Sequence, residues 1–253
     1  MSMFVIVFSP TGGTEKVSGL VTGTLDGNIV TVDLTDSGLD FHGVSMAKGD
    51  VAVISVPSYA GRVPAVAVER LGMVRGNGAR AVLVCVYGGR AFEDTLIELE
   101  DVAKRAGFRV VAAVSAIAEH SVARQFAAGR PDAQDVAQLS EFAQRIRQKL
   151  LDEAASEPSI PGNRPYKQVG GHSMVPHATE DCVSCGACAA LCPVRAIDKD
   201  DPRQVDGEAC ISCMRCVSVC SQNARKLDPN KLAAVTQMLS KACVERRECE
   251  IFI

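Results

Sequence analysis

CVSCGACAALC at residues 182–192 and CISCMRCVSVC at residues 210–220 share one cysteine spacing. Eight of the chain's eleven cysteines lie in these two segments, and both segments follow the pattern CxxCxxCxxxC. The offset between the two sets is the same at all four cysteines. This internal repeat indicates two related metal-binding sites.

The spacing favours an iron–sulfur cluster over other uses of cysteine. A tight loop with three cysteines, each two residues apart, can direct three sulfurs to one cubane, but the fourth cysteine lies too far away to join them. A structural zinc ion is the alternative, because tetrahedral thiolate sites also use CxxC pairs. Zinc sites usually have two pairs with a long spacer between them, and disulfides remain a further alternative.

From about Pro176 to Asp228 the sequence resembles the bacterial ferredoxin module with two 4Fe-4S clusters. In that module the fourth cysteine of each set binds the cluster of the other set. The resemblance implies a first cluster site of Cys182, Cys185, Cys188 and Cys220, and a second cluster site of Cys210, Cys213, Cys216 and Cys192. Pro193 follows the first set as the pattern requires, whereas Ser221 replaces the second proline. This departure weakens a turn and leaves the ligands unchanged.

The first part of the chain alternates strand and helix signals. Apolar runs that are typical of buried strands occur at Phe4–Phe8, Val51–Val56 and Ala81–Val86. Two further strands are predicted, at Ile29–Leu34, where apolar and small polar residues alternate, and at Val110–Ile117. Apolar residues at helical spacing follow residue 14 and recur over residues 65–74, 96–106 and 136–150. The alternation predicts an α/β domain over residues 1–154, with a doubly wound, five-stranded parallel sheet. Its ligand is expected at the carboxyl ends of the strands.

The first loop of this domain reads Ser9-Pro10-Thr11-Gly12-Gly13-Thr14 and leads into a helix. Free amide groups at the start of a helix favour an anion, and the hydroxyl groups can donate further hydrogen bonds to phosphate. The loop lacks the lysine of a P-loop and is not a GxGxxG fingerprint. It looks like the FMN phosphate loop of flavodoxins; a simple glycine turn with a helix cap is the alternative.

Two further loops follow strands that we expect beside the first strand. With them in view, residues 1–154 resemble the flavodoxin fold, whose second and third loops enclose the isoalloxazine ring of FMN. The resemblance implies FMN-binding residues in the three loops: Ser9, Thr11, Gly12, Gly13 and Thr14; Ser58, Tyr59, Ala60 and Gly61; Tyr87, Gly88, Gly89 and Arg90. Tyr59 is the candidate for stacking on the ring, and Arg90 would place a cation near the pyrimidine edge.

Other interpretations of these residues stay open. Tyr59 can be an ordinary loop aromatic, and Arg62 and Arg90 can be solvated surface residues. Asp94 is expected to favour the start of its helix through the dipole rather than to contact a flavin. No residue is assigned a catalytic role, and Cys243 and Cys249 are interpreted as structural.

Composition limits the remaining possibilities. The net charge of −3 gives no sign of a nucleic-acid interface, and no apolar run reaches the length of a membrane span or a signal sequence. We therefore expect a soluble, cytoplasmic protein that binds neither nucleic acid nor membrane. Prolines and glycines predict a linker over residues 155–176, followed by a small α+β ferredoxin-like domain over residues 177–228 and a helical tail over residues 229–253.

The whole sequence resembles the flavodoxin–ferredoxin fusion proteins of anaerobic bacteria called EFR1-family ferredoxins. This resemblance rests on SPTGGT, PSYAGRVP, YGGRAFED and the two cysteine sets. It implies electron transfer with FMN and two 4Fe-4S clusters. The leading hypothesis is a carrier that relays electrons between these cofactors and between redox partner proteins. The alternatives are an enzyme, namely a flavin-dependent reductase of a small molecule fed by the clusters, and a zinc-stabilised interaction module. The donor, the acceptor and the oligomeric state are not indicated.

Overall fold

A computed structural model describes residues 2–23, 25, 27–170 and 174–253. Residues 171–173 of the predicted linker, including Gly171, lie outside the described residues. Within the described part of the chain, no helix is long and apolar enough to cross a membrane.

A single large sheet forms the core of the first part of the chain. Its parallel strands are β1 Ser2–Val7, β2 Asn28–Asp33, β3 Val51–Pro57, β4 Arg80–Tyr87 and β5 Arg109–Ile117. Their spatial order is β2-β1-β3-β4-β5, which is the flavodoxin-like order. β3, β4 and β5 are buried along almost their whole length, because helices cover both faces of the sheet. The predicted parallel sheet is therefore confirmed.

Four helices pack on the two faces of the sheet: α1 Gly13–Thr22, α2 Ala65–Met73, α3 Thr95–Arg105 and α4 Ala133–Leu150. The apolar sides of α2 and α3 pack in one core cluster, and those of α1 and α4 pack in the other. α4 begins at a capping box, in which the Asp132 carboxylate accepts from the Asp135 amide and the Asp135 carboxylate accepts from the Asp132 amide. The helix spacing read from the sequence therefore corresponds to the buried faces.

The cysteine-rich segment has little regular structure. It contains the short strands β6 His177–Ala178 and β7 Arg225–Lys226, which pair with each other, and the single-turn helices α5 Ala187–Ala190 and α6 Arg215–Ser218. The sequence repeat is also a backbone repeat. Left-handed residues occur at equivalent places, as the pairs Ser184 and Ser212, Gly186 and Met214, and Arg195 and Asn223. Both cysteine loops therefore follow one path.

The last residues return to the first sheet. After helix α7 Pro229–Ala242, strand β8 Glu250–Phe252 pairs antiparallel with β5, where Val114 lies opposite Ile251. The sheet consequently has six strands, so the expectation of five strands and of a purely helical tail is corrected. A strand of three residues is too short to give a periodic pattern, and pairing with β5 stabilises it.

The segment between α4 and β6 is fastened to α3. The buried Asp94 carboxylate accepts hydrogen bonds from the Asn163 amide at 2.8 Å and the Lys167 amide at 2.7 Å. Asp94 precedes α3 but makes no capping hydrogen bond from its side chain. Burial alone would raise the pKa of Asp94, but the hydrogen bonds from Lys167 and Asn163 outweigh it and hold the pKa below its ordinary value. Asp94 thus fixes the linker.

Candidate functional site

The eight repeated cysteines line two small cavities of equal size, each of about 20 Å³. One cavity is lined by Cys182, Cys185, Cys188 and Cys220. The other is lined by Cys192, Cys210, Cys213 and Cys216. The chain therefore brings together the two crossed sets, each with three cysteines of one loop and the last cysteine of the other.

The thiols are chemically available for metal. All eleven cysteines are free of disulfide bonds. Burial raises the pKa of Cys210, and it raises the pKa of Cys213 to about 11 and that of Cys216 to about 12. A thiolate at these places needs a cation to replace its proton, as iron does in a cluster. Among the described residues, no group of three or more His, Cys, Asp or Glu side chains is placed to hold a single metal ion.

One backbone amide donates to the last cysteine sulfur of each cysteine loop. The Ala196 amide donates to Cys192 Sγ at 3.3 Å, and the Ala224 amide donates to Cys220 Sγ at the same distance. Such bonds orient the sulfur and tune a bound cluster. The cavities differ in their exposure to solvent, since Cys185 in the first is exposed whereas Cys213 in the second is buried. The first cluster site therefore lies nearer to the protein surface.

A larger cavity of about 270 Å³ opens at the carboxyl ends of β1, β3 and β4. This volume is close to the lower end of the range for small-molecule pockets, about 300–1,000 Å³. Eight of the thirteen predicted FMN residues line it, namely Thr11, Gly13, Thr14, Ser58, Tyr59, Ala60, Tyr87 and Gly88. The three loops predicted from the sequence thus meet in one cavity, at the switch point of the strand order.

The first loop is shaped to receive an anion. Ser9 Oγ accepts a hydrogen bond from the Glu15 amide at 2.9 Å, so Ser9 shapes the loop from behind rather than lining the cavity. Gly12 has a φ of 87°, a conformation that an L side chain rarely adopts, and it immediately precedes α1. The hydroxyl-bearing Thr11 and Thr14 line the cavity beside the helix start. This arrangement matches the expected chemistry of a phosphate-binding loop.

Tyr59 lies in the cavity wall and also close to the second cluster site. Its side chain is half-buried and lines the same cavity as Ile211, a residue between Cys210 and Cys213. Burial, with a smaller contribution from Cys213, holds the pKa of Tyr59 well above its usual range. The hydroxyl group therefore stays protonated at neutral pH. Ala60, with φ of 53°, and Gly61, with φ of 87°, form the turn that presents the ring.

Four other predicted residues lie outside the cavity wall, besides Ser9. Gly12, Gly61 and Gly89 each have a positive φ, so their role is in the backbone conformation of the loops. Arg90 is turned away, because its Nη1 and Nη2 donate to the two Glu93 carboxylate oxygens at 2.9 Å each. Arg90 instead lines a separate depression with Arg246 and Glu250. The expected cation at the edge of a ring is thus paired with Glu93, and the interpretation of Arg90 is corrected accordingly.

Sequence reasoning missed a fourth loop at this edge. Residues 118–122 follow β5 and line the cavity, and they include His120. Burial, assisted by Arg90, lowers the pKa of His120, whose Nδ1 accepts from the Val122 amide at 3.2 Å. A Cβ on Gly88 would lie 2.5 Å from His120 Cδ2, so glycine is required at this position. The position of this loop directly after the last predicted strand was the signal that could have placed it at the cavity.

The sequence also did not show that the cysteine module contributes to the cavity. Ile211 and Ser212 of the second cysteine loop line it, as do Val169 and Met174 of the linker. Within the described part of the chain, the buried Ser212 Oγ has no hydrogen-bond partner. An unpartnered buried hydroxyl at a cavity wall fits a polar ligand.

Arginines hold the module against the first domain. Arg215 Nη1 donates to the carbonyls of Ser9 at 3.4 Å and Pro10 at 3.3 Å, so it contacts the first loop directly. Arg195 Nη2 donates to the Ser37 carbonyl at 2.6 Å, and Arg70 Nη2 donates to the Pro193 carbonyl at 2.5 Å. These contacts place the second cluster site beside the cavity at the sheet edge.

Comparisons with known proteins agree with this division of the chain. Residues 150–237 match the family model described as a 4Fe-4S dicluster domain. No curated protein matches the chain significantly. The C-terminal part is thus a 4Fe-4S dicluster domain, attached to a domain with flavodoxin-like strand order.

Several solved structures are similar to the first part of the chain. A flavodoxin of Streptococcus pneumoniae TIGR4 is 17% identical, with a TM-score of 0.42, and the match covers 59% of this chain and 99% of that one. Flavodoxin 2 from Bacillus cereus is 16% identical, with a TM-score of 0.44 and the same coverage of both chains. Rubredoxin:oxygen oxidoreductase from Desulfovibrio gigas is 13% identical, with a TM-score of 0.42, and the match covers 59% of this chain and 36% of that one.

Proposed function

We propose that this chain, which joins a flavodoxin-like domain to a 4Fe-4S dicluster domain, relays electrons between FMN and two 4Fe-4S clusters. One observation carries the proposal. The second cysteine loop supplies Ile211 and Ser212 to the same cavity that is lined by the three loops of the sheet edge. A flavin in this cavity would lie directly against the loop that holds the second cluster.

The residues present fit FMN. Thr11 and Thr14 beside the start of α1 would bind the phosphate group, and the half-buried ring of Tyr59 would contact the isoalloxazine ring. Ser212 Oγ is a free hydrogen-bonding group for the ring edge within the described residues. When bound, the flavin supplies exchange of one or two electrons, and each cluster supplies exchange of one.

The positions of the cysteines suggest an order for the relay. The second cluster site lies beside the proposed flavin cavity, since Ile211 and Ser212, which stand between Cys210 and Cys213, line that cavity. The first cluster site has Cys185 at the surface, and Val183 beside it is 63% exposed. We therefore place the contact with a redox partner protein at Val183 and Cys185. Because free thiols and iron–sulfur clusters persist in reducing compartments, we place the protein in the cytoplasm.

The decisive experiment is an absorption spectrum of the protein purified without oxygen, combined with metal and sulfide analysis. We expect flavin peaks on a broad iron–sulfur absorption, bleaching of both by dithionite, and about eight iron and eight sulfide per chain. Zinc without iron or sulfide would overturn the proposal.

A second measurement separates a carrier from an enzyme. The reduced protein is mixed with candidate small-molecule acceptors, and the rate of flavin re-oxidation is compared with that of free reduced FMN. We expect no acceleration by small molecules and rapid oxidation by a redox protein. Accelerated turnover of a small molecule would instead favour a reductase.

A further inference from the structure

The two halves of the cysteine module differ at one buried position. In the first half, Ala196 and Ile197 follow Cys192, and in the second half Ala224 and Arg225 follow Cys220 at the same spacing. Ile197 is 4% exposed and Arg225 is 2% exposed, so both side chains lie in the interior of the module. The repeat therefore places a cation where its other half has an aliphatic side chain.

Arg225 contacts the first cluster site directly. Its Nη2 donates to Cys188 Sγ at 3.3 Å and to the carbonyl of Pro202. Arg225 lines the cavity of the first cluster site but not that of the second. Within the described residues, the cysteine sulfur to which it donates is Cys188 Sγ of the first cluster site.

The guanidinium group is left incompletely satisfied by protein atoms. Over the described ranges, Arg225 Nε and Nη1 are buried without a hydrogen-bond partner, and no carboxylate forms an ion pair with this residue. A buried cation is unfavourable unless an anion compensates it. The Cys188 sulfur lies within its reach, and it becomes anionic when it binds a metal. An iron–sulfur cluster with four thiolate ligands carries net negative charge and would supply that compensation.

We propose that Arg225 makes the two clusters unequal, by raising the reduction potential of the first cluster above that of the second. This inference rests on the proposed function, because it requires that both clusters are present. Reduction adds one negative charge to a cluster, and a fixed cation beside it favours the more negative state. A hydrogen bond to a ligand sulfur acts in the same direction.

One other sulfur contact is matched between the halves, so it does not distinguish the two cluster sites. The amides of Ala196 and Ala224 each donate to the fourth cysteine of their own set at 3.3 Å. The charge of Arg225 has no counterpart in the first half, because the uncharged Ile197 occupies the equivalent position. An electron shared by the two clusters is therefore held at the first cluster site, which has an exposed cysteine and is farther from the flavin cavity.

The test is a redox titration of the complete protein, followed by electron paramagnetic resonance. The wild-type clusters are expected to differ in reduction equilibrium constant by at least tenfold, which corresponds to 59 mV for a one-electron couple. Arg225→Met removes the charge and keeps a long apolar side chain. It should lower the higher of the two reduction potentials by an amount that corresponds to at least a tenfold change in the equilibrium constant. The lower of the two reduction potentials should change less.

Arg203→Met is the matched control. Arg203 also contacts the first set, through a hydrogen bond from its Nη2 to the Cys182 carbonyl at 2.7 Å, but it is exposed to solvent. Solvent screens its charge, so this variant should change either potential by less than threefold. Arg225→Lys keeps the charge and should retain most of the separation.

Two results would overturn the inference. One is a wild-type protein whose clusters have the same potential, and this result decides the question even if Arg225→Met fails to assemble clusters. The other is an Arg225→Met variant with full iron content and potentials that move no more than those of Arg203→Met. A protein that lacks iron and sulfide altogether would instead refute the proposed function.

Discussion

Tyr59 belongs to two environments at once. It lies in the wall of the proposed flavin cavity, which Ile211 of the second cysteine loop also lines. Its hydroxyl group stays protonated, because burial holds the pKa of Tyr59 well above its usual range. One side chain would therefore offer a flat surface to a flavin in a cavity that the second cysteine loop also lines.

Replacing this ring should weaken flavin binding. We expect Tyr59→Leu to lower FMN affinity about tenfold, because an aromatic contact is worth about 1 kcal/mol and buried area is lost as well. Tyr59→Phe keeps the ring and should bind nearly as well as the wild type. FMN affinity is measured by fluorescence quenching during titration of the flavin-free protein.

Tyr166→Leu provides the control for this experiment. Tyr166 lies on the linker, where its hydroxyl group donates to Asp101 and its ring lies 4.8 Å from the Arg62 guanidinium carbon. It does not line the flavin cavity, so its replacement should leave FMN affinity unchanged. If Tyr59→Leu binds FMN as tightly as Tyr166→Leu does, Tyr59 has no role in flavin binding.

The sequence predicted the individual loop residues better than it predicted the residues that contact them. The three loops were predictable because parallel strands end at one edge of the sheet. The pairing of Arg90 with Glu93 was not predictable. Glu93 is three positions away, but the sequence does not show which way the Arg90 side chain turns. Ser212 was missed for a different reason. Its place in the cavity depends on how two domains dock, which no local pattern records.

At the scale of elements, the two cysteine loops are interlocked copies. Cys220 follows α6 but lines the cavity formed by the first loop, and Cys192 follows α5 but lines the cavity formed by the second. Neither loop therefore completes a cluster site alone.

A cysteine substitution tests this exchange. Cys220→Ala should damage the first cluster, so its resonance spectrum after reduction should match that of Cys185→Ala and differ from that of Cys213→Ala. Cys243→Ala removes a cysteine outside both sets and should keep the full iron content. A Cys220→Ala spectrum that matches Cys213→Ala would show that each set binds its own cluster.

The regular elements were predictable from apolar periodicity, and β8 was not. Most strands and helices of the first domain bury one face or both, which leaves a pattern in the sequence, whereas β2 is exposed over its first four residues. β8 has three residues with only partial burial, so its conformation comes from pairing with β5. Tertiary pairing decided this element, and intrinsic propensity is a weak guide in such a case.

At the scale of the whole molecule, β8 attaches the end of the dicluster domain to the sheet of the first domain. Ile251 lies opposite Val114 and packs on the core cluster under α1 and α4. We expect Ile251→Asp to lower the free energy of unfolding by about 1–3 kcal/mol, because it places a charge against an apolar face and exposes the edge of β5. Denaturant unfolding measures the change.

Ile253→Asp is the matched control for this variant. Ile253 is 44% exposed and lies just beyond β8, so the same substitution should change the free energy of unfolding by less than about 0.5 kcal/mol. Equal effects of the two substitutions would mean that β8 pairing contributes nothing to stability.

The attachment of the dicluster domain at both of its ends has a kinetic consequence. The linker is fastened to α3 through Asp94, and the tail is fastened to β5 through β8. A domain on one flexible tether must diffuse to its partner before each transfer, and its rate then falls as the solvent thickens. Here the two redox centres would already be in contact. The rate of intramolecular electron exchange should therefore be insensitive to added glycerol, whereas oxidation by a separate protein should slow in proportion to viscosity.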